Sequence, residues 1–295
     1  MDTARIAELL DPFFRAPVGT TSQSNHSEAA KVGVQSKALS IAQLQCISAY
    51  IDILQRWNAR INLTAIRDPE DIVTRHFGES LFAARHLFPA GQEVPIERAA
   101  SGERPASAEK PAPGGSSASG ETAVPGGSAA PSGREGRGGR AALQGRVRSQ
   151  EKIGALAPGV PTVADVGSGA GFPGLPLKLW APHIALTLIE SNHKKATFLR
   201  EVTRALTLTD VNIQNTRAEA LARTSFDTVI LRAVECFVAV LPTAASLVAP
   251  SGRLALLISS AQQGLASATL PNLNWSAPAP IPQSRSRILL VGQNQ

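Results

Sequence analysis

VADVGSGAGFPGLPL, residues 163–177, joins a short apolar segment to three closely spaced glycines. Its first four residues are small or β-branched apart from Asp165, which is typical of a parallel strand covered on both faces. The glycines Gly167, Gly169 and Gly171 follow at the spacing G-x-G-x-G, where the backbone must turn tightly or approach a ligand without an intervening Cβ atom. The prolines after them are compatible with a first helical turn. The segment therefore predicts a buried strand, a glycine turn and the start of a helix.

The residues around these glycines distinguish between two classes of ligand. The dinucleotide fingerprint G-x-G-x-x-G would require glycine at position 172, where the chain has Phe172. The frame D-x-G-x-G-x-G resembles instead the glycine loop of class I S-adenosylmethionine-dependent methyltransferases. A second apolar segment, residues 184–189, ends at Glu190, where a carboxylate can accept hydrogen bonds from ribose hydroxyls. We therefore expect S-adenosylmethionine as the ligand, with a plain tight turn as the alternative interpretation.

Apolar segments and helical patterns alternate after the glycines, which predicts a doubly wound, Rossmann-like α/β sheet. The predicted strands are residues 163–166, 184–190, 211–215, 227–232 and 253–258, followed by 273–276 and 287–291. The last two predict an antiparallel edge to an otherwise mostly parallel sheet. In such sheets the ligand lies beyond the carboxyl ends of the strands, so we expect the site there.

The chain before residue 88 predicts a small helical region instead of strands. Apolar residues recur at helical spacing in residues 1–16, 40–58 and 68–87. Ser40 and Asp68 precede the second and third of these helices as N-cap residues, and Pro69 suits the first helical position.

The composition changes sharply at Pro89. Residues 89–160 contain 14 of the chain's 24 glycines, with many Ala, Ser and Pro, and no period persists. We expect a disordered low-complexity insertion between a helical region, residues 1–88, and a methyltransferase domain, residues 161–295. The arginine-rich part, residues 134–148, could bind RNA without sequence preference, but its composition favours a solvated low-complexity loop.

Charge and cysteine content limit the class of protein. The net charge is +6, and the excess comes from residues 89–160 and 161–295, which favours an anionic partner such as RNA. The two cysteines, Cys46 and Cys236, form neither a disulfide framework nor a zinc site, and the histidines lack metal-ligand spacing. No apolar run is long enough to cross a membrane. We expect a cytoplasmic monomer with no metal and no membrane association.

Several short motifs together identify a family. They are Trp57-Asn58, Asn62-Leu63-Thr64, Arg75-His76, Ser80-Leu81 and the glycine loop with its GSGAGFPG core. Over residues 40–88 and 161–258 the chain resembles the glucose-inhibited-division-protein-B family, methyltransferases that act on guanine N7 in 16S ribosomal RNA. The resemblance implies S-adenosylmethionine as methyl donor and 16S ribosomal RNA, or a small-subunit precursor, as partner.

The resemblance also implies roles for particular residues. Arg232, in the Arg232-Ala233 turn after the fourth predicted strand, corresponds to the catalytic arginine, which also lies at the cofactor. The cofactor-binding set comprises Asp165, Gly167, Gly169, Gly171, Phe172, Glu190, Ala218, Glu219 and Arg232, with the pair Ala218-Glu219 flanking the adenine. The chain departs from the family pattern at two places. Glu79 stands where the family commonly has Asp, and Ile258-Ser259 stands where it commonly has Lys-Gly.

The chemistry available after the fourth strand agrees with attack by guanine N7. That nitrogen has a free lone pair and needs no general base, and the turn offers an arginine without an N/D-P-P-Y/F loop. Arginine suits the acceptors O6 and N7, or a phosphate. His76 remains either a base or a packing histidine, and the basic face containing Lys194-Lys195 remains either an RNA contact or a solvated surface. A methyltransferase for another substrate and a non-catalytic RNA-binding relative are the alternative functions.

Overall fold

The computed structural model describes residues 1–15, 38–89, 159–221, 225–234 and 236–294. The predicted insertion, residues 89–160, lies outside the described residues apart from its first residue and its last two. The division of the chain into three regions therefore stays a prediction. No helix in these described ranges is both long and apolar enough to span a membrane.

The core of the molecule is an eight-stranded sheet with the order β3-β2-β1-β4-β5-β8-β6 and β7 paired to β8. The strands are β1 Thr162–Val166, β2 Ala185–Ile189, β3 Val211–Gln214, β4 Phe226–Arg232, β5 Val248–Ser259, β6 Asn274–Trp275, β7 Ala279–Pro280 and β8 Arg287–Gln293. Strands β1 to β5 are parallel, whereas β8 is antiparallel to β5. The predicted α/β fold with an antiparallel C-terminal edge is confirmed.

Helices cover the sheet and form the N-terminal region. They are α1 Thr3–Arg15, α2 Ile41–Asn58, α3 Pro69–Asp71, α4 Glu79–Leu87, α5 Gly174–Trp180, α6 His193–Ala205, α7 Phe237–Ser246 and α8 Gln263–Thr269. Ser40 and Gln43 form a reciprocal capping box at the start of α2, and the Asp68 side chain caps α3. The predicted helix over 68–87 is confirmed in extent but contains a π-helical segment, Ile72–Gly78, that its sequence pattern did not indicate.

The N-terminal helices are joined to the sheet domain by a shared hydrophobic core. Helix α4 lies against α5, and α2 lies against α6. At the centre, the Tyr50 ring stacks on Phe172 with 5.3 Å between centroids, and Phe77 meets both rings edge to face. The Tyr50 hydroxyl donates to the carbonyl of Ala170 in the glycine loop. The helical region therefore supports the loop directly.

Candidate active site

A cleft of about 670 Å³ opens at the carboxyl ends of β1, β2 and β4. This is the edge at which the sequence predicted a ligand. Among the predicted site residues, the cleft is lined by Gly167, Gly169, Phe172, Glu190, Ala218, Glu219 and Arg232. The cleft therefore brings together residues from the ends of three strands, from the glycine loop and from the segment that follows β3.

The two glycines at the centre and end of the loop differ in their surroundings. Gly169 has φ +55°, and a Cβ added there would meet no other atom closer than the Gly167 carbonyl oxygen, at 3.7 Å. Gly171 has φ +81°, and a Cβ there would collide with the Tyr50 hydroxyl and Leu175. Gly169 therefore borders the cleft, whereas Gly171 allows the N-terminal helices to approach the loop.

Glu190 stabilises the glycine loop from the end of β2. Its Oε2 accepts the backbone N–H of Gly169 at 2.9 Å, and its Oε1 accepts that of Asn192 at 2.7 Å. The residue is 7% exposed and lines the cleft. Because each carboxylate oxygen has more than one lone-pair site, Glu190 can accept further hydrogen bonds from a diol.

Asp165 lies behind the loop and does not line the cleft. Its Oδ2 accepts the backbone N–H of Gly174 at 3.0 Å, at the start of α5, while Oδ1 is buried with no partner among the described residues. Burial raises the pKa of Asp165 to about 7, against the opposing effect of the Gly174 hydrogen bond. The position points to a role in holding the loop against the helix.

Arg232, at the end of β4, is held by residues of the N-terminal region. Its Nε and Nη2 donate to Oε2 of Glu79 at 3.3 and 3.0 Å, and Nη2 also donates to the carbonyl of Arg75 at 2.6 Å. Its Nη1 lies 3.0 Å from Nδ1 of His76. Arg287, from β8, reaches the same Glu79 oxygen at 3.2 Å. Three elements, α4, β4 and β8, thus meet at one carboxylate.

His76 is neutral in this arrangement. Because an arginine can only donate, Nδ1 of His76 is the acceptor and the ring proton lies on Nε2, which donates to Oγ1 of Thr64 at 2.8 Å. The ring also stacks on Phe172, with 4.7 Å between centroids. Burial and the charges of nearby arginines lower the pKa of His76 to about 3. The structure therefore favours the packing interpretation over the base.

The cleft also contains residues outside the predicted catalytic and cofactor-binding sets. Thr64, from the quoted Asn-Leu-Thr motif, lines the cleft, as do Lys195 and Arg217. Cys236 also lines it and is exposed. Ser259 stands where the family commonly has the glycine of Lys-Gly. It caps the turn after β5 through Gln262 and does not line the cleft.

The strand order, the glycine loop and the carboxylate at the end of β2 define a class I methyltransferase. The chain belongs to the rRNA small subunit methyltransferase G family, whose model matches residues 43–94 and 152–268. This confirms the resemblance drawn from the sequence motifs.

Individual relatives agree with the family match. The ribosomal RNA small subunit methyltransferase G of Xanthomonas axonopodis pv. citri is 29% identical over 229 residues, which is 77% of this chain and 74% of the relative. That of Halorhodospira halophila is 30% identical and covers 72% of this chain and 68% of its own length. Among solved structures, a ribosomal protein L11 methylase from Lactobacillus delbrueckii subsp. bulgaricus has 18% identity and a TM-score of 0.40, covering 46% of this chain and 71% of that one.

Proposed function

We propose that this protein transfers the methyl group of S-adenosylmethionine to N7 of a guanine in 16S ribosomal RNA. The observation that carries the choice of N7 is the neutral His76 beside Arg232. Its Nδ1 accepts a hydrogen bond from a permanent cation and is not available to remove a proton from a substrate. Guanine N7 carries its own lone pair, so its methylation needs no such base.

The residues of the cleft fit the proposed methyl donor. Gly169 leaves open space where a side chain would otherwise project, and Glu190 presents two hydrogen-bonding oxygens beside it. Ala218 and Glu219 border the cleft beyond β3, where the adenine would lie. When bound, S-adenosylmethionine supplies an electrophilic methyl group on a positively charged sulfur.

The reaction requires positioning more than proton transfer. The N7 lone pair forms a bond to the methyl carbon as the carbon–sulfur bond breaks, and the positive charge passes from sulfur to the guanine ring. No proton moves. The contribution of this chain is to orient the base in line with that bond and to restrict its motion, for which Arg232 is held by three neighbours.

Cations at the cleft support an RNA partner. Lys195 and Arg217 line it, and Lys194, Arg200 and Arg204 are exposed on helix α6 next to it. Phosphate contacts of this kind weaken as salt rises, because bound counterions are released on association. We therefore expect RNA methylation by the protein to fall steeply with ionic strength.

The decisive experiment measures the product in two ways. N7-methylguanosine is mapped in 16S ribosomal RNA from cells with and without the gene, and tritium transfer from labelled S-adenosylmethionine is followed with purified protein on naked RNA and on small subunits. Loss of one N7-methylguanosine in the deletion strain, restored by the gene, supports the proposal. Methylation at C5 or an exocyclic amine contradicts the N7 assignment. Transfer only to a protein or a metabolite contradicts the RNA assignment, and no binding of S-adenosylmethionine favours a non-catalytic relative.

A further inference from the structure

The strand order arranges the cleft residues in a line along one edge of the sheet. The residues after β3, the end of β2, the glycine loop after β1 and the end of β4 follow one another in the order β3-β2-β1-β4. Neighbouring strands lie about 4.8 Å apart. Under the proposed function, the adenine end of the methyl donor lies at Ala218-Glu219 and its ribose lies at Glu190. Arg232, one strand beyond the glycine loop, then lies at the end where the methyl group meets its acceptor.

The hydrogen bonds of Arg232 leave little of its guanidinium for a substrate. A guanidinium has five N–H groups. Nε–H and one Nη2–H face Glu79, the second Nη2–H faces the carbonyl of Arg75, and one Nη1–H faces Nδ1 of His76. The second Nη1–H has no acceptor among the described residues. The side chain is 9% exposed and is one of the residues that line the cleft.

We infer that Arg232 selects guanine by donating its remaining Nη1–H to O6 of the target base, and that His76 and Glu79 are positioning residues for this contact. The inference rests on the proposed function. During methylation N7 gives its lone pair to the methyl carbon, so the adjacent acceptor on the same edge of guanine is O6. Adenine presents an amino group at that position, which would set one donor against another.

The bonding of the guanidinium explains why a single donor is selective here. In the usual readout of guanine an arginine fork binds O6 and N7 together, which would withdraw the N7 lone pair from reaction. Three neighbours occupy the other N–H groups and prevent that bidentate pose. His76 accepts the neighbouring Nη1–H, so its ring fixes the rotation of the guanidinium about its axis. The Glu79 carboxylate compensates the positive charge of Arg232, and it also forms an ion pair with Arg287.

Base analogues test this inference with the wild-type protein. The guanine that the protein methylates is replaced, by ligation of synthetic RNA, with inosine, 2-aminopurine or adenine, all of which retain N7. Inosine retains O6 and the N1–H and lacks only the 2-amino group, whereas 2-aminopurine retains the amino group and lacks both O6 and the N1–H. We expect single-turnover rates on inosine within about threefold of guanine, and a roughly 10- to 100-fold loss on 2-aminopurine, the range for a hydrogen bond to a charged group. Equal rates on guanine and 2-aminopurine would overturn the inference.

Variants then assign the selectivity to Arg232. In Arg232→Ala the guanine to 2-aminopurine ratio should fall towards one, because the donor that distinguishes them is gone. Arg253→Ala is the matched control: Arg253 is also part-buried and bonded to a backbone carbonyl, but it lies on β5 opposite Thr228, away from the cleft. It should keep the full ratio. An unchanged ratio in Arg232→Ala would refute the role of this residue.

The positioning residues need a readout that a purely structural role would not change. His76→Asn places an amide oxygen near the position of Nδ1 and should keep most of the guanine to 2-aminopurine ratio, whereas His76→Phe removes the acceptor and should lower it. The guanine to 2-aminopurine ratio should likewise be higher in Glu79→Asp, which keeps the carboxylate, than in Glu79→Gln, which does not. The loss should appear in kcat, with the KM for S-adenosylmethionine unchanged. Equal ratios in the Asn and Phe variants would contradict positioning by His76. If the wild-type protein methylates no RNA at all, the proposed function has failed, which is a separate result.

Discussion

Nη1 of Arg232 donates to Nδ1 of His76 across 3.0 Å, which connects the end of a sheet strand to the π-helical segment of the N-terminal region. The bond determines two properties at once. It leaves the imidazole without an acceptor for a substrate proton, and it orients the arginine at the cleft. π-helical turns often occur at functional sites, and here the turn also presents the Arg75 carbonyl to the same guanidinium. The N-terminal helices therefore help to form the candidate active site.

The first prediction compares two glycines of the loop. Gly169→Ala should weaken S-adenosylmethionine binding markedly, because the new methyl group borders the cleft, while stability falls by only about 1–2 kcal/mol for the left-handed backbone. Gly171→Ala should lower the free energy of unfolding by more, about 2–5 kcal/mol, because strain from overpacking against Tyr50 and Leu175 adds to the backbone cost. Calorimetric titration and denaturant unfolding measure the two effects. If Gly169→Ala and Gly171→Ala lowered the free energy of unfolding equally, Tyr50 would have moved to make room for the new methyl group at position 171.

The second prediction concerns Glu190. Glu190→Ala removes the acceptor of two backbone N–H groups and the proposed acceptor of the ribose diol, and should weaken S-adenosylmethionine binding by about 1–3 kcal/mol. Glu190→Gln keeps the size and one acceptor oxygen, so its loss should be smaller. Titration of both variants with S-adenosylmethionine checks the order. An affinity that is unchanged in Glu190→Ala would exclude this carboxylate from the cofactor site.

The sequence predicted the secondary structure well because its signals are local. The capping box at Ser40, the proline after Asp68 and the alternating apolar segments each involve residues within a few positions of one another. The contacts that organise the site are not local. Arg232 meets Glu79 across 153 positions, and Tyr50 reaches the glycine loop across 120. No periodicity records such pairs, so Glu79 stood out in the sequence only as a departure from the family pattern.

The third prediction concerns Arg232→Lys. A lysine keeps the charge but lacks the planar fork that bonds Glu79, His76 and Arg75 together, so kcat for RNA methylation should fall roughly tenfold or more. Affinity for S-adenosylmethionine should fall less than kcat, because the glycine loop and Glu190 lie one and two strands away from Arg232. Arg253→Lys, near the middle of β5 and four residues before the partner of Arg232, should leave kcat unchanged. If the Arg232→Lys variant had the same kcat as the wild type, a positive charge at this position would be sufficient for RNA methylation.

The last prediction follows from two buried groups whose pKa values move in opposite directions. The pKa of Asp165 rises from 3.8 to about 7, so the folded protein binds more protons than the unfolded chain in that window and this contribution to stability is lost as pH rises from about 4 to 7. The pKa of His76 falls from 6.5 to about 3, so its contribution is present above pH 6.5 and is lost as pH falls towards 3. Each group alone gives a slope of about 1.4 kcal/mol per pH unit.

These two slopes oppose each other between about pH 4 and 6.5, and single variants should separate them. Asp165→Asn keeps the shape and removes the titration, so the free energy of unfolding of this variant should rise with pH across the window more steeply than that of the wild type. His76→Asn should shift the slope the other way, towards falling stability with rising pH. Urea unfolding at pH 4, 5, 6 and 7 measures both.

Because Asp165 and His76 lie in one connected site, the double variant is the control, and its slope should return towards that of the wild type. Parallel pH dependence in all four proteins would show that neither group changes its protonation on folding as described.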